Sequence, residues 1–101
     1  MKLTEDNIDK TVENLREPLV DFVQQTVRMP SLPDEEHTVQ ELIASKLKSL
    51  KTEVDVFPCQ FEQLKDHPAF CDDGFSPDKR IDVVGRWGGN GNGRSLILNG
   101  H

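Results

Sequence analysis

The chain has 101 residues, 35% of them hydrophobic and 30% charged, and carries a formal net charge of −6. That length holds one small domain and leaves no room for a second, and that balance fits a folded chain better than a disordered one. The acidic excess, with no cluster of Lys and Arg, argues against a nucleic-acid partner, because such binding uses grouped cations to release counterions.

No stretch approaches the roughly 20 apolar residues that a bilayer-spanning helix needs. The opening Met1-Lys2-Leu3-Thr4-Glu5-Asp6 has no apolar leader core. A cytoplasmic location with no membrane partner is expected. Cys59 and Cys71 stand eleven residues apart with no second pair. They suggest reduced loop thiols rather than a zinc knuckle or a disulfide framework.

In chain order, Thr4 can cap a first helix, with Ile8, Val12 and Leu15 on one face and Glu5 and Asp6 suiting its first turn. Pro18 breaks or restarts that helix, and Leu19, Val20, Phe22, Val23 and Val27 continue an amphipathic stretch to Arg28. Met29-Pro30-Ser31-Leu32-Pro33 ends it. Asp34 is the expected cap of the next helix, in which Val39, Leu42, Ile43, Leu47 and Leu50 form a buried stripe.

Thr52 to Phe57 alternates polar and apolar residues, the period of a strand with one buried face, and Pro58 closes it. Residues 59–79 hold Pro68, Gly74 and Pro77 without a sustained period and predict a long lid or surface loop. Ile81 to Trp87 and Arg94 to Asn99 predict two strands of a hairpin, joined by the Gly/Asn turn Gly88 to Gly93.

That turn matches the spacing of a phosphate loop through Ser95, with Arg94 where lysine belongs. A phosphate loop must open a helix so that backbone N–H groups face the phosphates, and here Leu96-Ile97-Leu98 follows instead. A nucleotide-binding domain is therefore disfavoured, and the glycines and asparagines are explained by the positive φ of tight turns.

Of the three histidines, His37 beside Glu35 and Glu36 predicts a solvated helix face. His67, in Asp66-His67-Pro68, predicts a local hydrogen bond to a neighbouring carboxylate. His101 follows Leu96-Ile97-Leu98-Asn99-Gly100, and the end of a buried strand is where open α/β sheets place metal-binding and catalytic groups.

The helix ending Val27-Arg28-Met29-Pro30-Ser31, the Val39 to Leu50 helix, the Glu53-Val54-Asp55-Val56 strand and Val83-Val84-Gly85-Arg86 leading to Leu98-Asn99-Gly100-His101 form one ordered series. It closely resembles the start of a di-zinc enzyme family. That family comprises acetylornithine deacetylases, succinyl-diaminopimelate desuccinylases, aminoacylases and related carboxypeptidases. The Leu64-Lys65-Asp66-His67-Pro68 loop resembles an insertion of its acetylornithine-deacetylase-like subset.

The resemblance implies an α/β fold: the N-terminal part of a zinc-peptidase catalytic domain, truncated, with helices packed on a mixed sheet that includes the hairpin. It implies that residues 1–101 are part of a catalytic domain and that His101 is the first zinc ligand. Two zinc ions, with cobalt as a possible substitute, and a small N-acyl amino acid or peptide substrate follow from the same likeness. The family's bridging aspartate, catalytic glutamate and other ligands lie beyond its equivalent of His101. A catalytic zinc typically needs about three protein ligands. The 101-residue chain is therefore expected to bind zinc weakly and to be inactive alone. The alternative expectation is a non-catalytic interaction module that pairs through its sheet edge.

Overall fold

A computed structural model describes residues 2–74 and 76–101. The first helix, α1, spans Glu5–Asn14, and Thr4 caps it as its spacing predicts, its hydroxyl accepting the Asn7 N–H at 3.2 Å. Leu15 interrupts the helix in a bent right-handed conformation, and α2 resumes over Arg16–Arg28. The break has a local cause: Pro18 has no N–H to continue the ladder.

The third helix, α3, spans His37–Ser49. Asp34 does not cap it, contrary to expectation. Asp34 instead takes a left-handed φ of 74° in a turn closed by Glu35 N–H on Leu32 C=O at 2.8 Å, and Glu36 precedes the helix without a side-chain cap. Aspartate tolerates that conformation better than most residues, and the turn after Pro33 demands it. The other end of α3 closes as a Schellman motif, with Thr52 N–H reaching Leu47 C=O at 3.3 Å and Lys51 N–H reaching Lys48 C=O at 2.9 Å. Lys51 occupies the left-handed position, φ 60°, where glycine is usual.

Strand β1, Glu53–Pro58, pairs antiparallel with β2, Ile81–Arg86, with Val54 opposite Gly85 and Val56 opposite Val83. Glu53 stands opposite Arg86, a favourable cross-strand charge pair. Cys59 N–H continues the ladder to Arg80 C=O at 2.9 Å. One face of this sheet lies under α3, and Gly85 permits the closest approach: a Cβ there would stand 3.0 Å from both Leu47 methyls and 3.2 Å from Thr52 Oγ1. Ala44 on α3 is the only fully buried apolar residue among those described, 5% exposed.

Between the strands, the long loop contains a short helix, α4, over Phe61–Leu64 and a 3₁₀ turn over Pro77–Lys79, neither of them foreseen. Phe61 and Phe70 meet edge-to-face at 4.9 Å and give this excursion its own small apolar contact.

The chain is thus a mixed α/β fold with a two-stranded antiparallel sheet among the described residues. The expected hairpin partner is not there: residues 94–101 form no strand, and no parallel pair makes the sheet mixed. Leu96, Ile97 and Leu98 are 81%, 88% and 87% exposed. An isolated extended segment gains nothing from its apolar side chains unless a second surface covers them.

Exposure is the dominant property of the whole arrangement. The accessible surface is 9186 Å², against roughly 5,800 Å² for a compact monomer of this mass. The radius of gyration is 17.1 Å, where about 13 Å is ordinary. Among the described residues no helix is long and apolar enough to cross a membrane.

Candidate functional site

His101 ends the exposed 94–101 segment and is itself exposed. The described residues contain no group of three or more His, Cys, Asp or Glu side chains placed to hold a metal ion. A catalytic zinc typically needs about three protein ligands, and no such group forms around His101 among the described residues.

The other histidines depart from expectation. His37 opens α3 half-buried rather than on a solvated face, with its Nδ1 enclosed and without a hydrogen-bond partner and its Nε2 3.4 Å from Thr38 Oγ1. His67 does make a local bond, but its Nδ1 accepts the backbone N–H of Ala69 at 3.1 Å instead of engaging a carboxylate. Pro68 turns the chain so that this N–H faces back toward the ring.

The Gly/Asn segment is a bend and not a phosphate cradle. Gly91 has φ 83°, and Asn90 Oδ1 accepts the Asn92 N–H at 3.0 Å. The residues after it are extended rather than helical. Both cysteines are free, Cys59 half-buried and Cys71 exposed.

The densest polar arrangement was not legible in the sequence. Arg80, between the 3₁₀ turn and β2, donates from one guanidinium nitrogen to Glu36 at 3.1 Å and from the other to Asp73 at 2.7 Å. It joins the start of α3, the long loop and the entry to β2. Partial burial opposes ionisation of Glu36, but its own backbone N–H, the Arg80 guanidinium and the Asp34 N–H together outweigh this and hold the carboxyl below its ordinary value of 4.5. Bonds to Asp73 and Glu36 hold the guanidinium pKa above its ordinary value. Glu36 and Arg80 lie 44 residues apart in the chain. No local spacing announces such a pair. Nearby, Gln40 donates to Ile81 C=O at 3.2 Å, a second tie between α3 and β2.

This arrangement is structural in its chemistry. Its charges are compensated and it fastens a loop to a helix, as ion pairs of partial exposure commonly do. No family model, no curated protein and no solved structure matches the chain.

Proposed function

We propose that this chain is the N-terminal part of the catalytic domain of a cytoplasmic, metal-dependent amidohydrolase of the acetylornithine-deacetylase-like kind. Its substrate would be an N-acyl amino acid or a related amide. His101 would be one metal donor, with zinc, or cobalt in its place, completed by ligands that these residues do not supply. The chain by itself is expected to be inactive.

The observation that supports this reading is the run Leu96-Ile97-Leu98-Asn99-Gly100-His101, whose three large apolar residues stand almost fully in water. Such a run is stable as a strand only with neighbours on its edges and cover on its faces. Once covered, it would deliver His101 at a strand end, where α/β enzymes assemble sites. The same exposure supports a second reading, a non-catalytic module that pairs through this segment with a strand from a partner.

The test is the protein as its native gene encodes it, measured for bound zinc and for hydrolysis of N-acetyl amino acids. Zinc at two ions per chain, lost together with hydrolysis in His101→Ala, supports the enzyme. A native product of 101 residues that neither holds zinc nor hydrolyses any acyl amino acid overturns it and leaves the pairing module.

A further inference from the structure

A second uncovered surface lies on α1 and α2, far along the chain from the 94–101 segment. Ile8, Val12, Leu15, Leu19 and Phe22 follow one another at steps of four, three, four and three residues. That is the alternation of a helix-pairing seam, which buries its apolar row against another helix. Phe22 is half-buried, with the Lys46 ammonium 5.5 Å from its ring, but Ile8, Val12, Leu15 and Leu19 are all exposed. The body of the protein covers only the far end of the row.

We infer that this seam is a self-association surface, on which two copies of the chain pair α1–α2 antiparallel across a two-fold axis near Glu13 and Asn14. Two observations choose a second copy as the occupant. First, the seam is self-complementary: run antiparallel, Ile8 meets Leu19 of the second copy, Val12 meets Leu15, and the same two layers repeat by symmetry. Second, the flanking charges match. In this register Asp9 lies beside Arg16 of the second copy, and Arg16 beside its Asp9, opposite charges at the positions that set orientation in paired helices. Arg16 is held only loosely within its own chain, 3.6 Å from Glu13 with both side chains about 70% exposed.

The break at Leu15 lies close to the proposed axis, so each α1 packs on the other copy's α2 and the bend sits at the crossing. This surface owes nothing to the metal-site reading.

Sedimentation equilibrium of the 101-residue chain, with helicity monitored by circular dichroism, tests it. The expected mass is twice 11.4 kDa, and Val12→Glu, whose position is exposed in the single chain, should halve it while leaving the sheet and α3 in place. Asp9→Arg and Arg16→Asp alone should each weaken association roughly tenfold, and the double exchange should restore it. Ile97→Glu, in the other exposed apolar segment, should leave the dimer intact. A monomer at every concentration overturns the inference. So does a dimer that Ile97→Glu dissociates and Val12→Glu does not, or a double exchange that fails to rescue either single change. Zinc content and hydrolysis are separate readouts, so the two readings fail independently.

Discussion

The body made of α3, β1 and β2 and the two arms that flank it, residues 2–28 and 87–101, all carry apolar residues, with opposite fates. In the body, most apolar side chains have a covering surface: Leu47 rests on Gly85, Ala44 is enclosed, and Val54 and Val83 lie half-buried on the face under α3, while Val56 and Val84 stay exposed. In the arms, Val12, Leu19, Val27, Leu96, Ile97 and Leu98 are all exposed. Hydrophobic residues at correct periodicity are therefore not a core. They become one only when a second element arrives at the right register, and here β2 supplies that element to β1 and α3 alone.

If that contrast is correct, the largest effect should follow from charging Ala44, the one enclosed position among the described residues. Ala44→Asp is expected to cost about 3 kcal/mol or more, enough to abolish the cooperative thermal transition followed by circular dichroism. Next, Leu47→Ala removes the side chain that fills the hollow over Gly85. Its expected cost is about 2 kcal/mol, read as a lowered urea midpoint. A smaller change of opposite sign sharpens the comparison. Lys51→Gly relieves the left-handed φ of 60° at the end of α3 and should stabilise the body by about 0.5–1 kcal/mol.

Acid should act on the body through Glu36. Its carboxyl pKa is lower folded than unfolded, so its contribution is complete above the ordinary value of 4.5. That contribution declines as pH falls through the lowered folded value. A pH series should therefore show wild type and Glu36→Gln converging in melting temperature below pH 4.5 and separating above it. Equal separation at all pH values would remove Glu36 from the account. The smallest effect belongs to the arms: Ile97→Ser should shift the melting transition by no more than about 0.5 kcal/mol. A loss comparable to Leu47→Ala would mean that the 94–101 segment is covered in solution and that the contrast is wrong.

The helices could be read from local pattern because their causes are local. Thr4 caps the Asn7 N–H three residues on, and Pro18, which has no N–H to offer the preceding turn, leaves the break just upstream at Leu15. The stripe of α3 repeats every three or four residues. The β1 strand was legible from its alternation for the same reason, although Val56 on its inner face remains exposed. Asp34 shows the limit of such reading: as a cap candidate it had the right chemistry, but the turn beginning at Leu32 took it into the left-handed region instead.

Composition and periodicity by themselves determined one small mixed α/β unit, the approximate extent of α1, α2 and α3, and two of the strands, because each depends on residues within a few positions of one another. Only the tertiary structure decided that β2 pairs with β1 and leaves 94–99 without a partner. Only it joined Arg80 to Glu36 across 44 residues of chain and half-buried His37. Those outcomes depend on surfaces distant in the chain and on which pairs can be covered and compensated together, and no local pattern contains the partner.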